Sequence, residues 1–334
     1  MNRTVLITGA TSGIGEASVY EFAKERYRII AIGRNASKLS ALIPKAKELG
    51  AIEVLCKTVD LSSQNAVSTI ASDRSITECL DCVVNCAGIA HVRESKDIDL
   101  NEWNEVMHLN VTVPFFLTQA LVPFLEGRKN TSIVNVSSIA GRLRSISLGA
   151  HYTTSKAALL GLTRHLAGEL GPKGIRVNAI CPSQTRTPML DMALSPERQE
   201  AMAAQIPLRR IAEAHEPAQV IRYLCSENSS YINGAVIDVN GETRIDNKTR
   251  VVIANSDQAW LLPESETVAA ILARAESGSS LQALLTALSQ SAPRYHGDFP
   301  LLKPVAPPEI WACGVTYLRQ AKEHDVHLRT QTDN

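Results

Sequence analysis

Thr8-Gly9-Ala10-Thr11-Ser12-Gly13-Ile14-Gly15 is the stretch that decides how this chain is read. The apolar run Val5-Leu6-Ile7 precedes it. Glu16-Ala17-Ser18-Val19-Tyr20-Glu21-Phe22-Ala23, with apolar residues at helical spacing, follows it. Strand, glycine turn and helix in that order set a phosphate group on a helix N-terminus, where free N–H groups and the positive end of the helix dipole face the anion. Gly9 permits a tight exit from the strand, Gly13 lets the backbone approach a pyrophosphate, and Gly15 lets helix pack on strand. The spacing Gly-x3-Gly-x-Gly is not the Gly-x-Gly-x2-Gly of the common dinucleotide fingerprint, so the stretch has to be weighed with the rest of the chain.

The 334 residues are 45% apolar and 20% charged, which suits more than one domain and a large core. Basic and acidic residues balance at 34 each, so bulk charge draws the chain neither to nucleic acid nor to an anionic membrane. No stretch reads as a continuous membrane span. A strand begins by Val5, which leaves no room for a signal peptide. The seven cysteines are scattered, as suits a reducing cytoplasm. A cytoplasmic protein with no membrane or nucleic-acid partner is the expectation. Cys79, Cys82, Cys86 and His91 are close in sequence. However, Cys82 and Cys86 share one face of a strand-like run, and no second Cys-x2-Cys unit exists. Buried thiols, not a metal site, are therefore expected.

Residues 1 to about 245 alternate β-rich runs (4–8, 28–32, 53–58, 82–85, 132–137, 176–180 and 235–239) with helical patterns such as 36–49 and 103–125. Such alternation implies an α/β fold, a parallel sheet with helices on both faces, with ligands bound beyond the C-terminal ends of the strands. The residues that end those strands are the informative ones. After the second strand, Gly33 offers no acid for an adenosine ribose, whereas Arg34 offers a guanidinium suited to a 2′-phosphate. After the third, Asp60, followed by Leu61, can accept a hydrogen bond from an adenine amino group. After the fourth, Asn85-Cys86-Ala87-Gly88 is small enough for backbone to lie against a cofactor. Asn110 sits inside a helical pattern where asparagine has poor propensity. Ser137-Ser138 ends an apolar strand. Tyr152 and Lys156, at i and i+4, share a helix face. A free tyrosine, with a pKa of about 10, is a poor base at neutral pH. An ammonium one turn away and a positive nicotinamide would favour its phenolate, which could then exchange a proton with a hydroxyl.

Together these motifs resemble the short-chain dehydrogenase/reductase family over about residues 3–242. The set includes Arg176-Val177-Asn178-Ala179-Ile180-Cys181-Pro182. The resemblance implies a Rossmann-type doubly wound sheet and a catalytic tetrad of Asn110, Ser138, Tyr152 and Lys156. In it Tyr152 is the acid/base, Ser138 orients the substrate oxygen, Lys156 lowers the tyrosine pKa and holds the nicotinamide ribose, and Asn110 positions a relaying water. It implies cofactor contacts at Gly9, Thr11, Ser12, Gly13, Ile14, Gly15, Arg34, Asp60, Leu61, Asn85, Ala87, Gly88, Tyr152, Lys156, Pro182, Thr185 and Thr187, the last at the carboxamide. NADP(H) is preferred on the Arg34 argument, with NAD(H) as the other candidate. A homotetramer or homodimer acting on a small alcohol or carbonyl compound is also implied. The chain departs from the family pattern at Pro182-Ser183 and at Asn240-Gly241-Glu242. The interval between Ser138 and Tyr152 is one residue longer than usual, which calls for a bulged loop. Ser137 is an alternative to Ser138. Residues 189–210 should cover the pocket, and Arg142, Arg144, His151 and Arg186 are candidates at its rim for a carboxylate or phosphate.

A boundary falls near residue 246, giving a dinucleotide-binding domain (1–246) and an extension (247–334). In the extension 265–288 reads as helices broken at Ser277-Gly278-Ser279, and 293–308 is proline-rich. Glu309-Ile310-Trp311-Ala312-Cys313-Gly314-Val315-Thr316-Tyr317-Leu318 resembles the opening part of the fumarylacetoacetate hydrolase family. That family's acidic metal ligands would lie further downstream, so a second activity is not expected. Three readings of function compete. The first is an oxidoreductase on a sugar or 2-keto-3-deoxy sugar acid, in a compact polar pocket. The second is a 3-oxoacyl thioester reductase with an open groove and a basic patch for its carrier. The third is a non-catalytic nucleotide-binding regulator.

Overall fold

The computed structural model describes residues 3–241 and, beyond them, only the strands Val252–Ala254 and Ala259–Leu261. The chain divides into two units, Met1–Thr243 and Arg244–Asn334. In order, the first unit contains β1 (Thr4–Thr8), α1 (Gly13–Lys24), β2 (Arg28–Gly33), α2 (Ala36–Glu48), β3 (Glu53–Thr58), α3 (Ala66–Ser72), α4 (Arg74–Thr77) and β4 (Cys82–Asn85). There follow α5 (Leu100–Met107), α6 (Val113–Leu125), β5 (Ser132–Val136), α7 (Ala150–Leu170), β6 (Arg176–Pro182), α8 (Pro188–Ala193), α9 (Pro196–Ala203), α10 (His215–Cys225) and β7 (Val236–Val239).

The strands form one sheet in the order β3-β2-β1-β4-β5-β6-β7, with every pairing parallel. All five residues of β1 are buried, because successive side chains go to opposite faces and both faces are covered. Val5 and Ile7 join Val19 and Phe22 of α1 and Ile221 and Leu224 of α10. Leu6 joins Leu117 and Leu121 of α6 and Leu166 of α7 on the other face. Two-sided burial is why these strands are unbroken apolar runs in the sequence. Strand order reverses between β1 and β4, and the crevice at that switch point is where such sheets bind ligands.

The expected strands form, β6 running on to Pro182 and β7 starting one residue later. The long helix expected at 103–125 differs in two ways. It starts at Leu100, where the Asp99 side chain accepts the Glu102 N–H as an N-cap. It is then interrupted by a π-helical turn over His108–Thr112. The continuous run Leu100–Leu125 is also long and apolar enough, by length and composition, to cross a membrane, contrary to the expectation that no stretch qualifies. Its apolar residues serve the core: Val106, Val113, Leu117, Leu121 and Leu125 are buried. In the second unit the described residues form an antiparallel pair, with Ile253 opposite Trp260, which the sequence pattern did not reveal. The helices expected at 265–288 and the strand at 309–318 lie outside the described residues.

The glycine turn is built by close approach. Gly9 has φ +68°, and a Cβ there would lie 2.8 Å from Ala87 Cα. A Cβ on Gly15 would overlap the Gly9 carbonyl, backbone that cannot swing aside. Gly15→Ala should therefore destabilise the protein by about 1–3 kcal/mol, the usual penalty of overpacking. A denaturation midpoint equal to the parent's would refute this account of the turn.

Candidate active site

A cavity of about 480 Å³ opens at the C-terminal ends of the strands. One half is lined by Gly9, Thr11, Ser12, Gly13, Ile14 and Gly15 of the turn, by Gly33 and Arg34 after β2, and by Asp60 and Leu61 after β3. Ala87 and Gly88 follow β4, and Pro182, Thr185 and Thr187 follow β6. Ser12, the N-cap of α1, makes no side-chain capping bond, so the first N–H groups of that helix are left to an anion, as a dinucleotide pyrophosphate requires. The Asp60 carboxyl is held below its usual range, chiefly by hydrogen bonds from the Ser62 backbone and hydroxyl, with a smaller contribution from the charge of Arg34. Thr187 caps α8, accepting from Leu190 N–H, and its hydroxyl donates to Thr185 O at 3.2 Å. Asn85 is the exception among the expected contacts. Its side chain turns into the core, Nδ2 donating to Asn135 Oδ1 at 2.8 Å, and Asn135 in turn donates to Thr163 at 2.9 Å. Only its backbone belongs to the strand end.

The four expected catalytic residues converge. Beyond β5 the side chains keep alternating. Ser137 is buried and its hydroxyl is taken up by Lys156 O at 2.8 Å, whereas Ser138 lines the cavity near the Tyr152 phenol, whose pKa it lowers. That difference in partner separates the two serines. Burial raises the Tyr152 pKa, and Ser138 works in the opposite direction. Burial also pushes Lys156 down to about 8. Its Nζ donates to Val136 O at 2.9 Å and lies 5.7 Å from the centroid of the Tyr152 ring. The expected phenolate rests on Lys156 together with a positive nicotinamide; in the protein by itself burial raises the Tyr152 pKa.

Asn110 owes its position to the π turn, a device frequent at functional sites. Its Oδ1 accepts Ile89 N–H at 2.9 Å, and its Nδ2 donates to Ile89 O at 2.9 Å and to Ser155 Oγ at 3.0 Å. The amide thus ties the loop after β4 to α7. The lengthened interval before Tyr152 contains a 3₁₀ turn at Ile139–Gly141 and a bend over 146–148. There Ser145 N–H donates to Thr153 Oγ1 at 3.0 Å, and Ser145 Oγ accepts Leu148 N–H at 2.8 Å.

The rim candidates separate. Arg142 lies 3.4 Å from Asp238 and Arg186 2.8 Å from Glu213. His151 does not reach the rim: it is wholly buried, its Nε2 2.9 Å from Glu102 Oε1. Arg144 lines the cavity and makes no ion pair among the described residues. Sequence reasoning missed the apolar lining of the other half, Ile139, Leu143, Ile146, Leu148, Met189 and Leu194. The available signal was aliphatic residues in loops where solvated ones are usual. Among the thiols, Cys82 is buried with its Sγ 3.3 Å from Arg3 Nη2. Among the described residues no group of His, Cys, Asp and Glu is arranged to hold a metal ion.

Residues 9–241 match the family model described as enoyl-(acyl carrier protein) reductase. Protein FixR of Bradyrhizobium diazoefficiens is 37% identical over 253 residues, covering 72% of this chain and 86% of that protein. The 3-oxoacyl-(acyl-carrier-protein) reductase of Thermotoga maritima is 34% identical over 242 residues, covering 72% and 96%. A protein assigned as an NAD(P)-dependent gluconate 5-dehydrogenase from Beutenbergia cavernae, solved with NADP at low occupancy, superposes with a TM-score of 0.67 at 28% identity. That alignment covers 72% of this chain and 96% of that one. None of this matched range reaches the segment 309–318. From the sheet order, the glycine turn and these matches, the chain belongs to the short-chain dehydrogenase/reductase family and is a nicotinamide-dependent oxidoreductase.

Proposed function

We propose that this oxidoreductase reduces a carbonyl group with NADPH, Tyr152 giving the proton. The observation that supports this best is the buried Tyr152 phenol on the cavity with Ser138 beside it, one helical turn from Lys156. The nicotinamide, when bound, supplies or accepts the hydride. The rest of the reaction falls to this chain. Ser138 holds the carbonyl oxygen. Tyr152 donates its proton to that oxygen as negative charge develops there, and the Lys156 ammonium stabilises the phenolate that remains. A Cβ on Gly88 would lie 3.1 Å from Asn110 Oδ1 and 3.4 Å from Lys156 Nζ. Both polar groups thus border the small space beside that glycine, which suits a water that returns the proton. No step is assigned to residues beyond 241.

Arg34 is the basis for preferring NADP(H). Arg34→Leu should weaken NADPH roughly tenfold to a hundredfold, the value of one charge-assisted hydrogen bond of about 1.5–3 kcal/mol. NADH affinity should change little. Equal losses for both nucleotides, measured by fluorescence titration, would remove Arg34 from this role.

For the substrate, the aliphatic lining supports a 3-oxoacyl compound over a sugar acid, since hydroxyl-rich carbons would lie against Leu143, Ile146 and Met189 without partners. Arg144 suits one anionic end of such a compound. Arg142 and Arg186 are already paired, so an acyl group on a small carrier fits better than one on a large acidic protein. The sugar-acid reading is supported by Arg144 and by the likeness to the gluconate 5-dehydrogenase structure. The test is a panel of 3-oxoacyl thioesters, 3-oxo esters and keto-sugar acids with both nucleotides, followed by nicotinamide absorbance. Higher kcat/KM for the sugar acids would reject the acyl reading. Tight NADPH binding with no turnover on any of them would support a regulator. Arg144→Leu should raise KM at least about tenfold for anionic substrates and leave neutral 3-oxo esters nearly unchanged.

A further inference from the structure

One buried titratable side chain beside the phenol has no part in the mechanism above. His151 stands immediately before Tyr152 in the first turn of α7 and has no exposed surface. Its Nδ1 accepts the Tyr152 backbone N–H at 2.9 Å, and its Nε2 lies 2.9 Å from Glu102 Oε1. A nitrogen that accepts an N–H carries no proton itself. The neutral ring therefore holds its hydrogen on Nε2 and donates it to the carboxylate.

The place of the ring explains its use. α7 begins from Gly149, an N-cap residue that has no side chain to bond the helix's first N–H groups. A Cβ on Gly149 would lie 2.5 Å from His151 Cε1 and 2.8 Å from its Nδ1, so the imidazole fills the space of the missing cap. It takes the N–H a cap would take, that of Tyr152, which it shares with Gly149 O at 3.1 Å. Glu102 is itself fixed. It lies in the first turn of α5, and its Oε2 accepts from Arg93 Nε at 3.0 Å. The His91 ring lies against His151 with centroids 5.8 Å apart, and His91 O accepts Gly149 N–H at 2.9 Å.

We propose that His151, oriented by Glu102, is a positioning residue that fixes the first turn of α7 and thereby aims the Tyr152 phenol at Ser138 and the substrate oxygen. This rests on Tyr152 being the proton donor. A displacement of about 1 Å at a reacting group can slow a reaction by roughly 10²-fold without touching binding, so the signature is a loss in kcat alone.

The test uses the full chain with NADPH and ethyl acetoacetate as probe, with Tyr152→Phe assayed in parallel. His151→Leu should lower kcat at least about tenfold, while KM and the NADPH Kd stay within about twofold of the parent's. His151→Asn should recover most of kcat, because its amide oxygen can accept the Tyr152 N–H. Parent-like kcat in His151→Leu overturns the proposal. So does an asparagine variant as slow as the leucine one, or a loss confined to KM or Kd. If His151→Leu does not fold, Glu102→Leu decides: it removes the acceptor that orients the ring, and an unchanged kcat there overturns the proposal. Turnover retained by Tyr152→Phe would instead refute the assignment of the proton donor, a result distinguishable from failure of the positioning role.

Discussion

Tyr152→Phe is expected to lower turnover by roughly 10²–10⁴-fold, the range for losing a general acid or base, and to leave NADPH affinity almost unaltered. The substitution keeps the ring, which belongs to a small apolar group with Ala90 and Ala140. It deletes only the phenol oxygen beside Ser138. Stability should fall little or rise slightly, because a buried polar group is removed. Ser138 accepts Ala140 N–H at 3.1 Å, which keeps it oriented without the phenol. The loss should therefore appear in kcat, with KM nearly constant, as for an interaction made in the transition state. Turnover within a few-fold of the parent's would mean that another group protonates the substrate.

Much of this was legible because burial on both faces leaves a direct trace. β1, β2 and β4 are largely apolar runs, and the glycine turn stands where β1 ends. Asn110 was legible as a misfit in an apolar helix. The π turn that accommodates it was not, because the turn is bound up with hydrogen bonds to Ile89 on a distant loop. His151 was misplaced for a related reason. Its position next to Tyr152 suggests the rim, but Glu102, from a different helix, draws the ring inward. In the Leu100–Leu125 run polar residues such as His108 and Asn110 break the apolar pattern, and they stand in the π turn. The apolar lining of the substrate half escaped because side-chain direction in loops 139–149 and 182–194 has no period to read.

Lys156→Met should abolish most turnover and also change how stability responds to pH. In the folded protein burial pushes Lys156 down to about 8, against 10.5 for the free side chain. Between those values the unfolded chain holds the proton and the folded chain does not. The unfolded state then binds more protons, so the lysine's contribution to stability rises with pH across that window. Below about pH 8 both states are protonated, and the folded state bears the whole penalty of a buried ammonium, about 3 kcal/mol from a shift of this size. Other groups act in the opposite sense. Cys181 is raised to about 11 and Cys86 to about 12 by burial, so the unfolded chain ionises its thiols first and alkaline pH removes stability. The total curve of the parent mixes these effects, but both proteins share the thiols, and the difference between them isolates the lysine. Methionine also leaves Val136 O without its donor, at about 1–3 kcal/mol, an offset that does not vary with pH. From about pH 7 to about pH 9.5 the parent should therefore gain about 2 kcal/mol on the variant, read as the change in the difference of unfolding free energies from urea titrations. Parallel curves would show that the amine is not depressed in the folded protein. The dry, closely held site invoked for Tyr152 would then be wrong as well, because the same burial raises that phenol's pKa.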